Sequence, residues 1–120
     1  MSYSVVVEDD HIYVKYSGVV DGLDIVRITG DETYINGLRR LHKVIHDFSF
    51  CDEVSLGSED MQEIAFMTNM ESNFTENALV VLIPRTNEGL ARAAVFRQSI
   101  KSPDWTILTV QNHAEALTKI

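Results

Sequence analysis

The sequence predicts an α/β fold: a mixed five-stranded sheet with helices, in the order ββαβαβαβα. Three observations lead there. A β-branched and aromatic hairpin, Tyr3–Val7 and His11–Tyr16, opens the chain around the polar turn Glu8-Asp9-Asp10. The uninterrupted apolar run Leu79–Ile83 stops at Pro84 and has the composition of a strand covered on both faces. From Ala78 to Ile120 strand-like and helix-like segments alternate, which implies right-handed crossovers and a largely parallel sheet.

The elements follow in chain order. In the second strand Ile12, Val14 and Tyr16 share one face and Tyr13 and Lys15 the other. Ser17-Gly18 is expected to end the hairpin. Asp21 caps a helix containing Leu23, Ile25, Val26 and Ile28. That helix is expected to run to about Thr33 and end near Gly37, with Gly30 weakening it by about 1 kcal/mol relative to alanine. Leu41–Phe48 reads as the third strand and Phe50–Gly57 as a loop. Ser58 is the expected N-cap of the next helix, with Glu59 and Asp60 where the helix dipole favours acids. Met61, Ile64, Ala65 and Thr68 form its inner face. Thr86 or Asn87 caps a helix with the stripe Leu90, Ala93, Ala94 and Arg97. Trp105–Val110 is the last strand. Asn112, with Glu115 three places on, opens the closing helix as a capping box.

Composition narrows the function classes. A chain of 120 residues is expected to form one domain over residues 1–120. Acids outnumber bases 18 to 10, a net charge of −8, which disfavours nucleic acid and anionic membrane surfaces as partners. A basic protein partner fits that charge. The lone Cys51 forms no internal disulfide, so a reducing compartment is expected. No basic segment followed by an apolar stretch opens the chain, and Ala78–Pro84 is too short to span a bilayer. The expected location is the cytoplasm.

No acid, base and nucleophile converge in the sequence, so no enzyme is expected. His42, His46, Asp47 and Cys51 are metal-ligand types. In a strand, however, His42 and His46 stand about 13 Å apart, His46 and Asp47 point to opposite faces, and Cys51 lacks a CxxC partner. No metal and no cofactor are expected. Asp47, with Ser49 beside it, stands at the expected carboxyl end of a strand, where open α/β sheets place ligands. Arg85 and Arg92 flank a helix start, where backbone donors also favour an anion. Met61, Phe66, Met67 and Met70 make one helix apolar on more faces than a sheet can cover, which suits a partner surface or an apolar cavity. Ser55 and Ser58 precede or open that helix, where a phosphate would act on a partner surface. A simple cap also accounts for Ser58.

Three stretches carry a family likeness. They are Asp31–Leu38 leading to His46-Asp47-Phe48-Ser49, then Glu88-Gly89-Leu90-Ala91-Arg92, then Val110–Leu117 with its Glu-Ala-Leu helix. With the order of elements, they resemble the SpoIIAA-like group, the STAS/SEC14-type bacterial domains, over nearly the whole chain. The resemblance implies a non-enzymatic bacterial regulatory or protein-interaction module, with itself (as a homodimer) or another protein as partner, and a regulatory serine near Ser55 and Ser58. The Asp-Ser-Ser-Gly context of that serine is absent from Asp52–Ser58, and Thr118-Lys119-Ile120 stand in place of a closing Trp-Leu pair. The alternative expectation is a small apolar-ligand or lipid-binding domain with a cavity near Met67 and Met70.

Overall fold

The computed structural model describes residues 2–120. Its strands are β1 (Tyr3–Val7), β2 (Ile12–Asp21), β3 (Lys43–Ser55), β4 (Leu79–Ile83) and β5 (Thr106–Thr109). Its helices are α1 (Gly22–Thr29), α2 (Glu32–Leu41), α3 (Ser58–Glu71), α4 (Asn87–Ser99) and α5 (His113–Lys119). They form the mixed five-stranded sheet that the sequence predicts. Neighbours in the sheet are also neighbours in sequence, β1-β2-β3-β4-β5, with β1 antiparallel to β2 and every later pairing parallel.

Each parallel step moves the same way across the sheet, so crossovers of one hand must put their helices on one face. The core has that form. Ile25 and Ile28 of α1, Tyr34 and Leu38 of α2, and Ile64 of α3 pack with Ile12, Val14, Tyr16, Val44, Val80 and Ile107 on the front of the sheet. Phe96 of α4 joins the same cluster. Among the described residues, α5 is the helix of the back face, where Ala116 meets Ile45, Val81, Ile83 and Val110.

Local structure departs from the sequence reading in five places. The helix expected from Asp21 to near Gly37 is two helices. Gly30 ends α1, and Asp31 accepts the Tyr34 N–H at 3.1 Å to start α2, which runs to Leu41. Ser17-Gly18 does not end β2: Gly18 at φ 68 carries the strand through an irregularity to Asp21. Its partner β3 therefore begins at Lys43 rather than Leu41 and continues to Ser55 through the segment expected as a loop. Gly57, not Ser58, is the N-cap of α3, and Asp60 satisfies it by accepting the Gly57 N–H at 2.8 Å. In α4 only Ala93 of the expected stripe is buried, while Thr86 is the cap and accepts from Gly89 N at 3.1 Å. The closing helix starts as expected, with Asn112 accepting from Glu115 N at 2.8 Å.

The starts of α1 and α3 interlock. A Cβ on Gly22 would overlap the Asp60 carboxylate, which must stay where it is to cap Gly57. Gly22→Ala is expected to cost about 1–3 kcal/mol and Asp60→Ala roughly 0.5–2 kcal/mol. The double variant should cost clearly less than the two together, because the clash disappears with the carboxylate. Urea denaturation of the four proteins measures this, and strict additivity would show that the two residues do not act through one contact.

Candidate functional site

The front-face helices leave a cavity of about 270 Å³ between themselves and the sheet. Its floor is sheet: Tyr16 of β2, His46 and Phe48 of β3, Val80 and Leu82 of β4. Its walls come from Ile25 and Ile28, Tyr34 and Leu38, Met61, Ile64 and Met67, and Ala93 and Phe96. The lining residues that are exposed, Asp52, Glu53, Arg85, Thr86 and Glu88, mark where it opens to solvent. That opening lies along the last residues of β3 and beyond the carboxyl end of β4.

At its inner end three polar side chains are tied together. The Tyr16 hydroxyl lies 2.8 Å from His46 Nδ1, and the Tyr34 hydroxyl lies 3.1 Å from His46 Nε2. The backbone explains their meeting. Tyr16 and His46 share the inward face of adjacent parallel strands, and the Asp31 cap turns the first turn of α2 so that Tyr34 faces inward. Tyr16 also stacks on Phe48, with ring centroids 4.1 Å apart. Burial pushes the His46 imidazole down to about 4, so it is neutral near neutral pH. Burial likewise raises both tyrosine hydroxyls, so they stay protonated. The triad itself is polar but uncharged, and the charged side chain of the lining that acts on Tyr34 is Glu71, which Arg39 pairs.

The polar residues singled out in the sequence separate onto the two faces. Asp47 is fully buried on the back of the sheet, in mid-strand because β3 continues past it. Its carboxylate accepts from the Tyr13 hydroxyl at 2.6 Å and from the Ser49 N–H at 3.0 Å, and Ser49 Oγ donates to it as well. Burial, and then the bond to Asp47, raise the Tyr13 hydroxyl. Asp47 and Ser49 thus brace a strand and do not share a cleft with Arg92. Burial pushes the Cys51 thiol up to about 11, which keeps it protonated. Among the described residues no three His, Cys, Asp or Glu side chains are grouped to hold a metal ion.

The apolar residues of α3 divide. Met61 and Met67 line the cavity, while Phe66 (62% exposed), Met70 (47%) and the following Phe74 (66%) form an outward stripe at four-residue spacing. Beside it, Arg39 lies 4.9 Å over the Phe74 ring and donates two bonds of 2.9 Å to Glu71. Those bonds and one from Thr75 hold Glu71 below its ordinary range against the opposing effect of burial. Arg85 and Arg92 both reach the cavity, Arg92 within 4.0 Å of Glu88. Ser55 and Ser58 are exposed, at the end of β3 and the start of α3.

Sequence reasoning placed His46 among metal-ligand types and passed over Tyr16 and Tyr34 as site residues. The one available signal was their position: Tyr16 shares the inward face of β2 with Ile12 and Val14, and a buried hydroxyl on such a face needs a partner.

Comparison with solved structures gives the same architecture. The structure of the anti-sigma factor antagonist SpoIIAA in its unphosphorylated form superposes with a TM-score of 0.61 at 10% identity, covering 98% of this chain and 96% of that one. The chain has a SpoIIAA-like STAS fold. The structure of the Bacillus cell fate determinant SpoIIAA in the phosphorylated form matches with a TM-score of 0.57 at 12% identity, over 98% and 97% of the two chains. No protein-family model matches the sequence, and no curated protein matches it. At such identities the SpoIIAA likeness is one of fold, and the cavity must be read from this chain's own side chains.

The His46 site has a pH signature. An unfolded histidine takes up its proton near 6.5, whereas the folded one resists protonation until about 4. Stability is therefore expected to fall as the pH drops from 6.5 to 4, by at most about 3 kcal/mol from this group. Urea midpoints across that window should decline in the wild type and decline less in His46→Gln. Equal slopes would mean that His46 is not held neutral by burial.

Proposed function

We propose that the protein is a non-enzymatic regulatory module that acts by binding a protein partner or a second copy of itself. The observation that carries this reading is the exposed apolar stripe formed by Phe66 and Met70 of α3 and by Phe74 in the turn after it, a grouping that suits a partner surface. The fold supports it, since the similar structure is described as an anti-sigma factor antagonist. The lack of convergence between Asp47, Ser49 and Arg92 supports it as well. The acidic excess, 18 acids against 10 bases, suits a basic partner rim around that stripe. The setting is the cytoplasm of a bacterium.

Ser58 and Ser55 remain the positions for control by phosphorylation. Both are exposed, and Ser58 opens the helix that bears the stripe. A phosphate on Ser58 would stand beside Glu59 and the Asp60 cap and repel both, loosening the first turn of α3. Phosphorylation would then weaken, not strengthen, the contact made by this helix.

A photo-crosslinking residue at position 66 tests the first reading against the same residue at Gln98. Protein adducts, to itself or to another chain, should form at 66 and not at 98, and Met70→Glu should suppress them. If position 66 yields no protein adduct in the cell, the stripe is not an interaction surface.

A second reading is favoured by a separate observation, the cavity. Its lining is mainly apolar, it reaches from an open rim to buried Tyr16, and Met61 and Met67 give it an adaptable wall. On this reading the module holds a small apolar molecule beneath α3, and the occupant would set how α3 presents its outer stripe.

A further inference from the structure

The polar triad at the inner end of the cavity carries one hydrogen too many for its own acceptors. A neutral imidazole has one N–H and one bare nitrogen. The bare nitrogen accepts from one tyrosine, and the N–H donates to the other tyrosine's oxygen. The second tyrosine still has its own hydroxyl hydrogen, and no described residue offers that hydrogen an acceptor. Either tautomer frees one of the two hydroxyl hydrogens, and the distances favour Tyr34 as its owner. The shorter contact, 2.8 Å from the Tyr16 oxygen to Nδ1, suits an O–H donor, and the longer one, 3.1 Å from Nε2 to the Tyr34 oxygen, suits an N–H donor. His46 is then protonated on Nε2, and Tyr34 is left with a free O–H.

Tyr34 is 9% exposed and lines the cavity. A buried donor without an acceptor costs about 1–3 kcal/mol when left so, and every other polar group at that end is already engaged. Beside the triad the lining is Leu38, Val80 and the Glu71 carboxylate that Arg39 already pairs, so an anion carried there would lose its hydration and meet a like charge rather than a free cation. Arg85 and Arg92 stand instead near the rim. The volume, about 270 Å³, is just below the roughly 300 Å³ at which small-molecule pockets begin, so the guest is small.

We infer that the cavity binds a small, largely apolar molecule that carries a neutral carbonyl or similar acceptor oxygen, and that the Tyr34 hydroxyl donates to that oxygen. Tyr34 is the specificity residue, and His46 and Tyr16 are positioning residues that aim its hydrogen into the cavity. The inference rests on the second reading above, that the cavity holds an apolar molecule.

Three probes of nearly equal shape test it: acetophenone, isopropylbenzene and benzoate. They are titrated into the full chain by isothermal calorimetry, with chemical shifts of the lining residues reporting the place of binding. In Tyr34→Phe, acetophenone should weaken about five- to tenfold, while isopropylbenzene stays within about twofold. Taking each probe against its own wild-type affinity cancels the difference in hydration between them. Benzoate should bind more weakly than acetophenone. Equal changes for both neutral probes, or preferred binding of benzoate, would overturn the Tyr34 assignment while leaving the apolar cavity intact. Failure of all three probes to bind the wild type would overturn the cavity reading itself. A second measurement needs no variant. The carbonyl stretch of bound acetophenone should lie below its frequency in an alkane, and an alkane-like frequency would contradict the hydrogen bond.

Discussion

Three crossovers that step the same way across the sheet decide where everything else can sit. Because β2, β3, β4 and β5 follow one another in space as in sequence, helices α1 to α4 have no choice of face. Among the described residues strand order does not reverse, so the sheet has no switch-point crevice of the kind that open α/β sheets use for ligands. The crowding of helices on one face supplies a different hollow. Small residues such as Ala93 and slender ones such as Met67 stand over the middle of the sheet, where larger side chains would have closed it. The back, left to the seven-residue α5, is thinner, and there the buried Asp47 is held by Tyr13 and Ser49.

The Tyr16–His46–Tyr34 chain of contacts depends on that arrangement and repays it in specificity. It links β2, β3 and α2, three elements that apolar packing alone could join in more than one register. The same low-dielectric setting that keeps the imidazole neutral makes an unpaired hydroxyl costly, so the network is both a structural tie and a place for a guest. The outer stripe of α3 and the cavity beneath it are two sides of one helix. Met67 faces inward and Phe66 and Met70 outward, which gives a physical route by which an occupant could alter a partner contact.

How much of this the sequence discloses varies with the range of the interactions involved. The hairpin, the buried run Leu79–Ile83 and the capped closing helix depend on local composition, and their residues identify them directly. The break at Gly30-Asp31 was signalled by a glycine followed by an Asp cap, but continuous apolar spacing across Ile25, Ile28 and Ile35 masks it. The extension of β3 to Ser55 was not legible, because Asp52 and Glu53 look like a loop until β2 supplies a partner through its irregular pairing. The site is the least local feature of all. Tyr16, Tyr34 and His46 are far apart in sequence, and each has an ordinary explanation on its own; only the sheet register brings them together.

The proton on His46 is the most direct test of this account. Long-range proton–nitrogen correlation of the imidazole at neutral pH is expected to find a neutral ring protonated on Nε2, with Nδ1 accepting from Tyr16. A neutral ring protonated on Nδ1 would contradict it, since Tyr34 would then spend its hydrogen on Nε2 and have none to offer a guest; a doubly protonated ring would contradict the burial that keeps the imidazole neutral.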